Sequence, residues 1–510
     1  MSLLDTIIGF FGDLGISSAQ TWVEGRARTS RGDFPLFFHN TLGNVMQEFT
    51  LPSNAHTVRM YNCGPTVYGR QHIGNVSMFV FTDLLRRALE YNDYAVKQVI
   101  NITDFGHLAS DADEGEDKMT KGLKREGMEI TLENMRTLAE KYTRIFLEDM
   151  RALNIDPERI EFPRASEHIP GQIAMIKALE EKGYAYRGAH GVYFDTARFP
   201  SYGALGNIDI ASLKAGARVK KTEEKRSPTD FLLWKADKKI GWNSPWGKGF
   251  PGWHIECSAM IRATLGQQID IHTGGIEHIP VHHNNEIAQS ESAVGKHPLS
   301  RFWLHRAHIQ IEGGKIAKSE GNVIYMSDIV ERGFHPLALR YLFLGAHYRT
   351  PLNFSFDALA ASQHAYARLL ATVLSLKDEG GQPDPALQKK FHERINDDLD
   401  TPGALAVLWE TRSAELEPST LRATLLDFDR VLGLSLSHPD TEAVALAQKE
   451  TRVYLSDEQL SSEALSILER REKARIDRNW IEADALRDEL EVLGFGVDDS
   501  PEGARVHRKG

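Results

Sequence analysis

The chain has 510 residues, 41% hydrophobic and 26% charged, the balance of an ordinary soluble protein, and it is too long for one hydrophobic core, so three or more domains are expected. Sixty basic against seventy-one acidic residues leave a net charge of −11, which excludes a general nucleic-acid-coating protein and confines any nucleic-acid contact to local basic patches. Two cysteines, Cys63 and Cys257, exclude a disulfide framework and point to a reducing compartment, and no apolar run reads as a membrane span.

The first stretch, Leu3, Leu4, Ile7, Ile8, Phe11 and Leu14, has helical spacing but no basic residue before Arg26, and reads as a docking helix rather than a targeting segment. From Thr57 to Ile102 the pattern is strand, glycine-containing loop, helix, strand. The loop is Cys63-Gly64-Pro65, the helix runs from about Val76 to Tyr91, and the second strand runs from Ala95 to Ile102, one βαβ unit of a parallel sheet. An acidic stretch follows, then an amphipathic helix carrying Leu132, Met135, Leu138, Tyr142, Ile145 and Phe146. From about Pro157 to Ala236 short strands and loops read as an insertion between two halves of a nucleotide-binding fold. The strand signal returns at Gln267 to His272, followed at once by Gly274 and Gly275, the strand-to-loop edge where open parallel sheets bind ligands. A hairpin-like element at Ala307 to Ile311 leads to the loop Glu312-Gly313-Gly314-Lys315. From Asp357 onward helical periodicity dominates, and the last fifty residues form a basic helical segment with a short tail.

Three groups of residues carry chemistry. The tetrapeptide His72-Ile73-Gly74-Asn75 stands between a strand and a helix, whose N-terminal N–H groups attract phosphate, and His72 can donate to an α-phosphate oxygen; alone it reads first as a capped helix with an incidental histidine. The segment Lys315-Ile316-Ala317-Lys318-Ser319, punctuated by Gly313, Gly314 and Gly321, can fold two lysines over a triphosphate and neutralise charge as pyrophosphate leaves; alone it reads as a solvated loop. Third, Cys63, Cys257, His282 and Glu286 are a thiol, thiol, imidazole and carboxylate set suited to Zn²⁺, with His282 and Glu286 four apart on one helical face. Near the C-terminus, Arg470, Arg471, Lys473, Arg475 and Arg478 precede Trp480, and Arg505, His507, Arg508 and Lys509 follow. That set suits phosphate contact with base stacking, or equally a salt-bridged helix with Trp480 packed inward.

The first two motifs resemble the HIGH and KMSKS signatures of class I aminoacyl-tRNA synthetases. With Tyr61 to Tyr68, Asn101 to Asp104, Ala215 to Val219, Pro251 to Met260, Asp270 to Gly275 and His282 to Ser290, the chain resembles the cysteinyl-tRNA synthetase family from about Leu36 to its end. The resemblance implies an α/β fold: a Rossmann-type parallel-sheet catalytic domain with an inserted connective domain, then a helical bundle and a small C-terminal anticodon-binding domain. The implied division is an N-terminal extension (1–33), the first catalytic half (34–156), the connective insertion (157–236), the second half (237–300), a KMSKS-loop stem-contact region (301–355), the bundle (356–453) and the anticodon-binding domain (454–510). It further implies one zinc ion per chain held by Cys63, Cys257, His282 and Glu286, and an amino-acid pocket shaped by Thr66, Thr103 and Trp253. His72, Asn75, Lys315 and Lys318 would be catalytic; His72, Gly74, Gly274, Gly275 and Lys318 would bind ATP, which enters with Mg²⁺. Trp480, Asp484 and Asp499 would read the anticodon. The implied activity is activation of L-cysteine with ATP to cysteinyl-adenylate and transfer to tRNA(Cys), by a cytoplasmic monomer that touches no membrane.

The sequence departs from the family at Asn75 for the last histidine of the first signature, at Thr273 for glycine, at Glu277 for aspartate, and near Val506, where family tails carry an aromatic. A zinc–thiolate bond that serine cannot make can discriminate by ~10⁴ or more without an editing domain, and no editing domain is evident. Two competing readings are a ligase of the same descent that joins cysteine to an amino sugar, disfavoured by the long basic C-terminal region, and a silent paralogue, disfavoured by the presence of His72, Lys318 and all four zinc ligands.

Overall fold

A computed structural model describes residues 34–508 apart from 54, 106–117, 209–224, 312–313, 316–322, 378–379, 440, 449–454, 456–458, 478 and 501–502. The extension at 1–33, the stretch 215–219, Lys318, Arg478 and Lys509 thus lie outside the described residues, and of Lys315 only the backbone is described.

The described chain begins with an antiparallel pair, β1 (Phe37–Asn40) and β2 (Val45–Glu48). β3 (Thr57–Asn62) leads through the loop at 63–72 into α1 (Ile73–Tyr91). The helix starts at Ile73 rather than near Val76 because His72 caps it: its backbone is extended and its Nδ1 accepts from Asn75 N at 3.2 Å. α1 is apolar on opposite sides. Phe81, Leu85 and Leu89 enter one core and Ile73, Val76 and Val80 another, the mark of a helix buried between layers.

β4 (Ala95–Ile100) follows, then α2 (Lys118–Arg125), α3 (Leu132–Ala152) and β5 (Ile160–Glu161). β4 stops at Ile100 instead of running to Ile102, because Ile102 and Thr103 leave the ladder to bridge Arg164 and Thr66. α4 (Ile169–Glu181) precedes an antiparallel sheet of β6 (Ala185–Gly188), β7 (Gly191–Phe194), β8 (Phe231–Ala236) and β9 (Gly249–Pro251). The chain then returns to the first sheet with α5 (Trp253–Thr264), β10 (Ile269–Gly275), a π-turn at Ile279–His283, α6 (Asn284–Val294) and β11 (Ser300–Arg306).

The central sheet has the order β11-β10-β3-β4-β5 and all its pairs are parallel. From β3 the chain builds outward to β4 and β5, then crosses back to place β10 on the other side of β3. The order therefore switches direction between β3 and β10, the position where open parallel sheets leave a crevice at the strands' C-terminal ends. Cys63 follows β3 directly and Gly274 and Gly275 end β10, so the fold delivers both to that crevice.

Beyond the sheet, β12 (Ile309–Ile311) pairs antiparallel with β13 (Gly314–Lys315), then come α7 (Met326–Glu331), α8 (Pro336–Leu344) and β14 (Leu352–Phe354), which also pairs with β12, in parallel. α9 (Phe356–Ser375), α10 (Pro385–Asn396), α11 (Thr401–Arg412), α12 (Pro418–Leu432) and α13 (Thr441–Gln448) form the helical region. Its core is continuous with the α1 side of the sheet: Phe391 stacks on Phe428 at 4.1 Å and Tyr91 donates to Asp427 at 2.6 Å. α14 (Ser462–Ile476), α15 (Trp480–Val492) and the hairpin β15 (Phe495–Ser500) with β16 (Gly503–Arg508) close the chain around a separate core of Leu460, Ile467, Leu486, Leu490, Val497 and Val506. No helix among the described residues is long and apolar enough to cross a membrane.

Candidate active site

A cavity of about 410 Å³ opens at the switch point between β3 and β10, lined at one end by Cys63, Cys257 and His282 and at the other by His72, Gly74 and Asn75. Backbone proximity shapes its entrance. A side chain at Gly64 would begin 1.7 Å from the Asn101 carbonyl oxygen, so only glycine lets β3 turn here, and Asn101 Oδ1 accepts from Gly64 N at 2.8 Å.

The donors predicted to hold a metal come from four places: the end of β3 (Cys63), α5 (Cys257), the π-turn (His282) and α6 (Glu286). Their ligand atoms all lie within 4.8 Å of one another and all four side chains are buried. A tetrahedral zinc with bonds of about 2.0–2.3 Å spaces its donors about 3.3–3.8 Å apart, so the set fits a zinc ion after small side-chain rotations.

The electrostatics point the same way. Glu286 accepts from His272 Nε2 at 2.9 Å and pairs with His282 Nε2 at 2.8 Å. Burial would raise its pKa, but the two imidazoles hold it well below the usual carboxylate range. Cys257 is drawn down to about 6 by the Cys63 thiol and by His282, against burial and the Glu286 charge. His282 rises to about 10 because Glu286 and Cys257 outweigh burial, and burial with the Cys257 contact pushes the Cys63 thiol up. Two anionic donors share this pocket with protons that a divalent cation would displace.

The sequence reading missed a layer of histidines beneath these donors. His283 Nε2 lies 3.3 Å from Cys63 Sγ and its Nδ1 2.8 Å from His305 Nε2, whose other nitrogen meets Thr41 Oγ1 at 2.7 Å. His254 Nδ1 and His282 Nδ1 are 2.8 Å apart. Cys63, His272, His283 and Glu286 consequently form a second close set that overlaps the first. The first set has two thiols and one of them is already acidic, which favours it for zinc. One signal was available: His272 lies in β10, whose residues are buried on both faces, and a histidine there needs a polar partner.

The predicted amino-acid residues Thr66, Thr103 and Trp253 line the same cavity as Cys63, Cys257 and His282. The Trp253 ring centroid is 4.6 Å from that of His282, and Lys118 Nζ sits 5.5 Å from the Trp253 ring centroid. Thr66 and Thr103 face each other in a parallel bridge, with Thr103 N donating to Pro65 O and Val67 N to Thr103 O, both at 3.0 Å. The Thr103 hydroxyl donates to Glu256 at 3.3 Å.

At the other end, Ile73 N donates to Ile324 O at 2.9 Å and His72 bridges Tyr325, tying the start of α1 to the chain just beyond the lysine loop. Lys315 pairs with Gln310 through its backbone, and Lys318 is outside the described residues. Gly274 has a local reason to be glycine: a Cβ there would lie 2.5 Å from His283 Cε1 and 2.6 Å from His278 Nδ1, whereas at Gly275 the nearest atoms belong to the movable carboxylate end of Glu277.

Trp480, Asp484 and Asp499 belong to the C-terminal unit with its own core. Trp480 does not pack inward. It is 57% exposed at the start of α15, with the Arg475 guanidinium 6.0 Å from its ring centroid, and Asp484 is exposed on the same helix. The Asp499 carboxylate accepts from Arg471 through both oxygens at 3.0 Å and pairs with Arg475; these cations hold it below its usual range.

Residues 49–364 match the family described as tRNA synthetases class I (C) catalytic domain, and residues 457–506 match the cysteinyl-tRNA ligase anticodon binding domain. Curated relatives include cysteine–tRNA ligase 1 of Burkholderia lata, 45% identical over 478 residues that cover 92% of this chain and 97% of the relative. The cysteine–tRNA ligase of Treponema denticola is 39% identical over 497 residues, covering 91% and 98%. Among solved structures, methionyl-tRNA synthetase of Mycobacterium tuberculosis bound by methionyl-adenylate aligns with a TM-score of 0.52 at 14% identity, over 80% of this chain and 96% of the other, a likeness of fold. The switch-point crevice, the two matched families and relatives aligned over nine-tenths of the chain converge: the chain belongs to the cysteine–tRNA ligase family of class I aminoacyl-tRNA synthetases, ligases that use ATP with Mg²⁺, an amino acid and tRNA.

Proposed function

We propose that this chain activates L-cysteine with ATP to cysteinyl-adenylate, transfers it to tRNA(Cys), and selects its substrate through the thiol. The observation that carries the selection is the buried cluster of two thiols, an imidazole and a carboxylate within 4.8 Å of one another, of which Cys63, Cys257 and His282 line the cavity. Cys63, Cys257, His282 and Glu286 would hold Zn²⁺, which when bound favours a thiol as thiolate over a serine hydroxyl.

In the first step a carboxylate oxygen of cysteine attacks the α-phosphorus of ATP and the bond to pyrophosphate breaks. His72 Nδ1 is the acceptor of the α1 cap, which sets its proton on Nε2, the atom that would donate to an α-phosphate oxygen. Asn75 and Gly74 offer the N-terminal end of α1 to the same group, with Gly274 and Gly275 across the crevice. Lys315 and Lys318 fold over the triphosphate and neutralise the charge that builds on the leaving pyrophosphate. Thr66, Thr103 and Trp253 wall the amino acid. In the second step a ribose hydroxyl at the tRNA 3′ end attacks the activated carbonyl carbon and AMP leaves. Trp480 stacks an unpaired anticodon base, with Asp484 and Asp499 as hydrogen-bond acceptors beside it. The seven segments read from the sequence, from 1–33 to 454–510, are the proposed division of labour.

The test combines cysteine-dependent exchange between ATP and pyrophosphate, run against serine, with metal analysis. The wild-type chain is expected to exchange with cysteine alone and to carry zinc, and Cys257→Ser and His282→Ala to lose the metal. Retention of zinc by both variants overturns the ligand set, and equal exchange with serine overturns the substrate.

A further inference from the structure

Four arginines are buried among the described residues: Arg86, Arg306, Arg340 and Arg471. Three sit against carboxylates, Arg86 and Arg340 on Asp83 at 2.5 and 2.7 Å and Arg471 on Asp499 at 3.0 Å. Arg306 is the exception. It is 7% exposed, and among the described residues its side chain has as hydrogen-bond and ring partners only the Ser77 hydroxyl, 3.0 Å from Nε, and the Phe343 ring, whose centroid is 5.7 Å from the guanidinium carbon. Burial draws its pKa down to about 10 with no carboxylate opposing the shift, so it remains a cation at neutral pH.

A buried cation without a counter-charge is costly in the free protein, and such a group persists where a ligand supplies the missing charge. Arg306 ends β11 in register with Gly275 of β10 and lines the same cavity as His72, Gly74 and Asn75. Ser77 fixes it from behind: its hydroxyl accepts from Arg306 Nε and donates to Gly74 O at 2.7 Å. With Nε occupied, the two Nη groups carry the remaining N–H donors, a planar fork that fits the oxygens of a phosphate. The partial positive charge of the α1 N-terminus adds to the same field.

We propose that Arg306 contacts substrate directly, pairing with the polyphosphate of ATP in the part released as pyrophosphate. The inference rests on the adenylate-forming reading of this cavity and adds a fixed cation to the lysine loop. Ser77 is then a positioning residue that orients the guanidinium.

The experiment compares full-length wild type with Arg306→Gln and Arg306→Lys, using calorimetric titration with ATP, inorganic pyrophosphate and adenosine, and thermal melting of each free protein. Arg306→Gln should lose ~10-fold or more in affinity for ATP and for pyrophosphate while adenosine binding stays the same. Its melting temperature should equal or exceed that of the wild type, because an unpaired buried charge has been removed. Arg306→Lys should recover part of the pyrophosphate affinity. Unchanged pyrophosphate and ATP binding in Arg306→Gln overturns the proposal, as does a parallel fall in adenosine binding and melting temperature, which marks a structural role. A defect confined to transfer from preformed adenylate to tRNA also overturns it and assigns the cation to a tRNA phosphate. If wild type shows no cysteine-dependent exchange but pyrophosphate binding still depends on Arg306, the activity reading fails and the phosphate contact stands.

Discussion

Glu286 holds two imidazoles at once, and that contact orders the whole donor cluster: His272 turns its Nε2 to one oxygen and His282 to the other, while Cys63 donates to the same carboxylate at 3.8 Å. That Cys63 and Cys257 come together with His282 and Glu286 was legible because thiols are so rare in this chain that each needs a reason. The histidines beneath them were not, since His254, His272, His283 and His305 come from different elements, and only the packing of α5 and the π-turn against β10 and β11 brings them together. Arg306 belongs to none of the motifs read from the sequence, and its burial without a carboxylate appears only once α1 and α8 are packed against it. Lys318 is the residue whose role the chemistry defines most sharply. If its ammonium stabilises departing pyrophosphate more than bound ATP, Lys318→Ala lowers the activation rate by ~10²-fold or more and changes ATP affinity much less. Single-turnover adenylate formation measured across ATP concentrations separates the two effects. A raised ATP requirement at an unchanged maximal rate would assign Lys318 to ground-state binding.

Elements depart from the sequence reading where a partner far along the chain decides. β10 continues through Gly274 and Gly275 because β11 offers them a ladder, and β12, read as part of a local hairpin, also pairs with β14, more than forty positions later. The buried ion network between α1 and α8 is of the same kind: Asp83 accepts from Arg87 at 2.7 Å and from Arg340 at 2.7 Å, and Arg340 further donates to Leu153 O and Leu432 O at 2.9 and 2.7 Å. Burial would raise the Asp83 pKa, yet Arg87, Arg340 and Arg86 together drive it well below the ordinary range. Asp83→Asn leaves these guanidiniums without their carboxylate and should destabilise the fold by about 3–5 kcal/mol. The pH dependence has a definite sign. Because the folded pKa is depressed, the Asp83 contribution is complete above the unfolded value of about 3.9 and is lost as pH falls through the folded one. Melting curves of both proteins should therefore differ by a constant gap at neutral and mildly acidic pH, and the gap should narrow below about pH 4. A gap independent of pH down to strong acid would mean that the network does not depend on the Asp83 charge.

At the scale of the whole molecule, the parallel sheet was legible from one βαβ unit and the returning glycine-tipped strand, and the helical region from its periodicity. How Leu460 to Val506 close a core of their own was not, because that core joins two helices to a terminal hairpin. That separation makes the division of function testable. The proposed metal and nucleotide residues precede position 322, whereas Trp480, Asp484 and Asp499 belong to the unit that matches the anticodon binding domain. A chain ending near Val453 keeps the central sheet and the helical core that packs on α1, so it should retain cysteine-dependent exchange between ATP and pyrophosphate. It should aminoacylate tRNA poorly. Within the full chain, Trp480 presents its ring to solvent beside Arg475, and Trp480→Ala removes one stacking surface, with a loss of ~1–3 kcal/mol in tRNA binding. That loss should appear in the KM for tRNA with exchange unchanged, since Trp480 is not among the described residues that line the cavity. If the shortened chain charges tRNA as well as the full one, the anticodon reading of Trp480, Asp484 and Asp499 is wrong, and the helical region from Asp357 to Leu436 becomes the surface to probe next.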